Sequence, residues 1–221
     1  MALNKLKFNS LNVTPTAGKT IGFNSSANGL EATLSGGDMA FIKKLTASSS
    51  GDLSFVDGAS DVVLDNTYKE YIFIFNNIHP QTDNTDFQFN MSTDGGSNYN
   101  VTKTTTFFRA YHGDAGGEYT ALNYEGTRDL AQSTSFATIT FSIGNDNDES
   151  ASGMLHLFNP SSTTFVKHFL TRSSATIHVY NEADDQYSAG YGNTTSAVDA
   201  IQFKMSSGNI DSGTITLYGI N

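Results

Sequence analysis

Residues 69–78 read Lys-Glu-Tyr-Ile-Phe-Ile-Phe-Asn-Asn-Ile. Tyr71, Phe73 and Phe75 fall on one face of an extended chain, and Ile72 and Ile74 fall on the other. A strand that is apolar on both faces belongs in the middle of a sheet, covered on both sides. Working outward, Asp86–Ser92 alternates, with Phe87, Phe89 and Met91 on one face. Further runs follow at turn-separated intervals: VTKTTTFFRAYH, FATITFSIG, SGMLHLFNP, FVKHFL, ATIHVYN, QYSAGYGN, AIQFKMSS and SGTITLYGI. Only Asp129–Ser133 hints at a helical turn. Short strands with turn signals at such spacing predict an all-β fold, an antiparallel β-sandwich or jelly roll of about ten to twelve strands. No longer repeat is present, which excludes propellers and solenoids.

Composition agrees. Aromatic residues make up 12%, charged residues only 15%, and there are 16 Phe, 10 Tyr and no Trp in 221 residues. Aromatics amid Ser, Thr and Asn suit sheets with wet outer faces. The net charge of −10 provides no positive footprint for nucleic acid. With no cysteine, neither a disulfide nor a thiolate metal site can form. The opening MALNKLKFNSLNV has no apolar h-region, and no stretch is long and apolar enough for a membrane helix.

Residues 1–37 carry little core material: Leu3, Leu6, Phe8, Leu11 and Val13 stand among Asn, Ser and Thr. We read them as an extended N-terminal attachment arm, with Gly36-Gly37 as a hinge and residues 38–221 as the sandwich domain.

Ser92-Thr-Asp-Gly-Gly-Ser-Asn-Tyr99 comes close to the Asp-box of sialidases, with Asn98 and Tyr99 where Thr and Trp would stand. The physics is that of a turn. Gly95 and Gly96 supply positive φ, and the Asp94 carboxylate accepts from the loop's own amides. The chain has one such box, and its three arginines, Arg109, Arg128 and Arg172, have no propeller on which to converge.

Other constellations are weak. Gly144–Glu149 offers Asp146, Asp148 and Glu149 as calcium ligands, but it lacks the spacing of a known loop. The ordinary reading is a solvated turn. Glu182-Ala-Asp184-Asp185 reads as a similar acidic loop. The five histidines (His79, His112, His156, His168, His178) form no metal pattern. No nucleophile elbow, phosphate loop or dinucleotide fingerprint occurs, so neither an enzyme nor a cofactor is expected. Gln186–Asn193 reads either as an aromatic-rich loop or as a glycine-rich strand whose tyrosines pack beneath a partner chain. Tyr187 and Tyr191, joined by Tyr111 and Tyr119, form a candidate binding surface for a glycan or a partner chain.

Four segments resemble a group of β-sandwich virion proteins of tailed, especially marine, bacteriophages, described as tail-fibre-like or structural. They are Tyr71–Pro80 with its following Thr-Asp loop, Ser92–Ser97, Leu157-Phe-Asn-Pro-Ser-Ser162, and Ile201–Lys204 together with Ser212–Ile220. Gly18–Ser25 is similar to the attachment arms of phage fibre modules. The resemblance implies a non-enzymatic β-sandwich on the outer surface of a phage particle, made in the host cytoplasm and assembled as a homo-oligomer, most often a trimer. The expected function is capsid decoration or cementing, with the arm as clamp and major capsid or tail proteins as partners. The alternative is a tail-fibre or receptor-binding module that contacts host surface glycan.

Overall fold

A computed structural model describes residues 20–23, 26, 28–33, 39–114, 120–178 and 182–220. Leu3, Leu6, Phe8, Leu11, Val13, Gly36, Gly37 and Tyr119 lie outside the described residues. The chain divides into two compact units, residues 1–40 and 41–221.

The described strands are β1 (Thr20–Phe23), β2 (Leu30–Thr33), β3 (Met39–Thr46), β4 (Leu53–Val56), β5 (Glu70–Pro80), β6 (Thr85–Ser92), β7 (Lys103–Gly113), β8 (Thr120–Tyr124), β9 (Ala137–Ile143), β10 (Ala151–Phe158), β11 (Lys167–Ile177), β12 (Glu182–Gly192), β13 (Ala200–Met205) and β14 (Ile210–Ile220). β1 and β2 form a two-stranded antiparallel hairpin within the stretch read as an arm. The other strands form one continuous 12-stranded sheet. The protein is an all-β antiparallel sandwich. Among the described residues there is no helix, so Asp129–Ser133 is bends and a bridge to Lys103.

The sheet folds on itself at β11. One layer runs β3-β14-β5-β10-β11-β12-β7-β8, and the other runs β9-β6-β13-β4. They join where Ile177 of β11 pairs with Ile143 of β9. Phenylalanines fill the space between the layers. Phe203 on β13 meets Phe73 and Phe75 of β5 at ring-centroid distances of 5.3 and 5.4 Å. It also touches Phe55, Phe87 and Phe89. Phe89 packs edge-on against Phe169 of β11 at 4.9 Å. Rings at these separations gain edge-to-face attraction beyond the burial of their area.

β5 lies between β14 and β10, as its sequence predicts. Its inner residues Tyr71, Phe73 and Phe75 are buried. Its outer face is only half-covered, because Ile72 and Ile74 are of intermediate exposure. The expectation of cover on both sides therefore fails within a single chain. A bulge at Asn76–Asn77 shifts the register against both neighbours and turns Ile78 back into the core. Asn77 takes φ 50°, and Gly213 opposite it takes φ 116°. A Cβ at position 213 would stand 2.5 Å from Asn77 O, so the bulge needs glycine there.

Ser92–Tyr99 is a turn, and it links layers rather than closing a hairpin. β6 before it and β7 after it pair with different strands. Ser92 Oγ donates to Asp94 Oδ1 at 2.7 Å, and Asn98 N donates to the same oxygen at 2.9 Å. These bonds, led by the one from the Asn98 side chain, hold the Asp94 carboxyl below its ordinary pKa.

Candidate binding surface

The outer face of the larger layer is where the sequence breaks its own alternation. Phe107-Phe108, Met154-Leu155 and Phe169-Leu170 are apolar pairs. In each, one residue enters the core and the other points away from it. Phe107, Leu155 and Phe169 are buried, whereas Phe108, Met154 and Leu170 are exposed at 39%, 45% and 51%. Register aligns these outer residues across strands. Ile74, Met154, Arg172, Tyr187, Phe108 and Tyr124 form one row from β5 to β8. Ile72, His156, Leu170, Ala189 and Thr106 form the next row.

Between these rows lies an almost wholly apolar groove of about 400 Å³, lined among others by Phe108, Met154, His156, Leu170 and Tyr187. A second groove of about 350 Å³ continues it past Leu170 to His168 and Tyr191. Tyr187 stacks flat on Phe108, with centroids 4.9 Å apart and planes at 2°. Arg172 donates to both Asp185 oxygens, from Nε at 3.0 Å and from Nη2 at 2.8 Å, and its guanidinium lies 5.1 Å from the Tyr187 ring centre. Tyr187 Oη donates to Asp185 Oδ2 at 2.9 Å, which raises the Tyr187 pKa. The Arg172 bonds lower that of Asp185. His156 Nε2 lies 2.8 Å from Glu70 Oε2 without hydrogen-bond geometry, so the contact is an ion pair only in the imidazolium form.

Of the two readings of Gln186–Asn193, the glycine-rich strand holds for residues 186–192. Residues 182–192 are strand β12, and Tyr187 and Tyr191 are half-buried residues on its outer side. Tyr111 sits on the opposite face of β7, beneath the Arg109 guanidinium at 4.0 Å. The structure thus places Tyr187 and Tyr191 on one face of β12, lining adjoining grooves, and separates Tyr111 from them.

The acidic segment Glu182–Asp185 is also strand, and its inward residues meet a cation. Arg109 Nη1 donates to Glu182 Oε1 at 2.6 Å and to Asp184 Oδ2 at 2.5 Å, and Nε donates to Glu125 Oε1 at 3.0 Å. Burial works against the Arg109 charge, but the three carboxylates outweigh it and hold the guanidinium pKa above its ordinary value. Burial pushes the Asp184 carboxyl up to about 6 despite Arg109. Asp184 Oδ1 and Gln186 Nε2 are buried without a hydrogen-bond partner. Arg128 pairs with Asp86 at 2.5 Å, and burial still raises the Asp86 pKa. Arg109 and Arg128 flank Phe141, while Arg172 lies on the outer face, so the three arginines do not converge.

Lys103 is fully buried. Its Nζ donates to Asn90 Oδ1 at 2.5 Å and to Val101 O at 2.8 Å, and burial pushes its pKa down to about 7. The period-2 placement of Glu182, Asp184, Gln186 and Ser188 is the sequence signal for this polar inner face. That Arg109 would face it is a tertiary fact.

Of the calcium candidates, Asp146 and Asp148 are exposed and Glu149 is buried. Comparison with protein-family models, with curated proteins and with solved structures found no match to this chain.

Proposed function

We propose that this protein is a structural component of a bacteriophage virion: a capsid-decorating or cement protein that assembles as a homo-oligomer on the particle's outer surface. The observation that carries the oligomer is the apolar outer face. Six strands at about 4.8 Å spacing, each up to about 36 Å long, offer roughly 24 Å by 36 Å. That is close to the ~800 Å² per partner of a standard stable interface. A chain of net charge −10 repels its own copies. On this face Arg172 and Asp185 balance each other, and the acid Glu70 at its edge stands beside His156. Ile72 and Ile74 then gain the second cover that their sequence anticipates.

The virion setting rests on the resemblance of Tyr71–Pro80, Ser92–Ser97, Leu157–Ser162 and the C-terminal strands. The second reading, a receptor-binding module for host glycan, is favoured by the ring surface of Phe108, Tyr187 and Tyr191 beside an open groove, because sugars stack on such rings. Antibody-gold labelling of intact particles separates the two. Label over the head supports decoration, and label restricted to the tail supports receptor binding. Absence of label from purified particles removes the virion reading altogether.

A further inference from the structure

Three segments far apart in the chain meet where β9 hands over to β11. Asp83 comes from the β5–β6 loop, Glu149 from the β9–β10 loop, and His178 directly follows β11. One ligand atom from each lies within 4.8 Å of the other two. Backbone bonds bring the three members together. His178 N donates to Ser142 O at 2.9 Å. Asp83 Oδ1 accepts from Asn84 N at 3.0 Å and from Asn145 N at 3.3 Å. His178 Nδ1 lies 2.8 Å from that same oxygen.

Glu149 supplies the second, independent observation. It is only 4% exposed, yet among the described residues no cation pairs with it and a single donor, Asp146 N at 3.1 Å, reaches Oε2. A buried carboxylate ordinarily has a counter-ion or a full set of donors. Its carboxyl group lies over Gly144, where any Cβ would overlap it, so the loop is shaped to place this group.

We propose that Asp83, Glu149 and His178 form a site for one divalent first-row transition-metal ion of the zinc class. An imidazole nitrogen with two carboxylates matches such ions. Calcium and magnesium prefer all-oxygen shells. Donors around zinc at about 2.0–2.2 Å stand roughly 3.4 Å apart. Around the ion the 2.8 Å Asp83–His178 pair opens and Glu149 draws in, and the Asp83 side chain, which is 44% exposed, turns away from its two backbone donors to allow it. The bound ion takes the Nδ1 lone pair of His178 and neutralises the buried Glu149. It ties the two loops to the end of β11 and so clamps the joint between the layers. Of the ligands read from sequence, Glu149 belongs to this site, and Asp146 and Asp148 do not. The inference is independent of the virion reading.

The test uses the full chain dialysed against a chelator, then titrated with Zn²⁺ by calorimetry and followed by thermal melting. One Zn²⁺ per chain is expected, with Tm rising about 5–10 °C at a hundredfold excess over Kd. Ca²⁺ at the same concentration is expected to leave Tm unchanged. His178→Ala, at a partly exposed position, and Glu149→Gln are each expected to abolish the heat and the shift. If Glu149→Gln does not fold, His178→Ala alone decides. The proposal is overturned by a wild-type chain that binds no Zn²⁺, by binding that survives His178→Ala, or by an equal response to Ca²⁺.

Discussion

Replacing Arg109 by Met probes the inner polar face. Met keeps an unbranched stem against Tyr111 and Phe141 but removes the one cation shared by three carboxylates. Glu182 and Asp184 are 1% and 0% exposed at the side chain, so both are left buried without a counter-charge. Removing one partner of a buried pair costs about 3–5 kcal/mol. In a chain of this size that lowers Tm by roughly 6–20 °C. The loss also depends on pH. Asp184 titrates at about 6 when folded, above its ordinary value of 3.8, because burial disfavours its charge. The folded chain therefore binds that proton more tightly, and this contribution to stability falls as pH rises from about 4 to about 6. Without Arg109 the carboxyl rises further and the window extends upward. Urea unfolding at pH 5, 6.5 and 8 is expected to show the smallest Arg109→Met deficit at pH 5 and the largest at pH 8. A deficit below about 1 kcal/mol at pH 8, or one that does not shrink on acidification, would refute the picture of a dry cluster.

Lys103 gives the opposite sign. Its folded pKa of about 7 lies below the ordinary value of 10.5, so the folded chain releases that proton first and wild-type stability rises between about pH 7 and 10. Lys103→Met is expected to flatten that slope in denaturant melts, and an unchanged slope counts against a buried, partly neutral amine. Phe203→Ala removes the ring that touches Phe55, Phe73, Phe75, Phe87 and Phe89. It is expected to cost about 3–5 kcal/mol in urea unfolding, and a cost under about 1 kcal/mol means that the hub is not where the layers hold together. Leu170→Glu places a charge at the centre of the exposed apolar rows without touching the core. Sedimentation is expected to show an oligomer in the wild type and a folded monomer in the variant, and an intact oligomer in the variant moves the interface elsewhere.

Alternation determined much of this protein directly. Tyr71, Phe73, Phe75, Phe87, Phe89 and Met91 are inward residues because the side-chain period of a strand is two, and all six are buried. Turn chemistry was largely local: Ser92, Asp94, Gly96 and Asn98 satisfy one another within seven residues, whereas Gly95 N donates to the distant Asp199 carboxylate. Which strands pair is a long-range matter. Tyr187 stacks on Phe108, from a strand far earlier in the chain, only because β12 lies beside β7. Arg109 meets Glu182 and Asp184 for the same reason. Gln186–Gly192 carries Gly, Ser and Tyr that suit a loop or a strand, and pairing with β11 on one side and β7 on the other decides for the strand. Asp146 and Asp148 are sequence neighbours of Glu149, but the loop turns them outward. The groups that converge on Glu149 are instead Asp83 and His178, brought there by three separate segments. Sequence by itself determined most of the strands, their inward faces and the turns, because these depend on neighbours within a few residues. Tertiary structure alone decided the apolar outer rows, the Arg109 cluster and the metal-capable triad, because each is assembled by pairing between strands whose partners local chemistry does not specify.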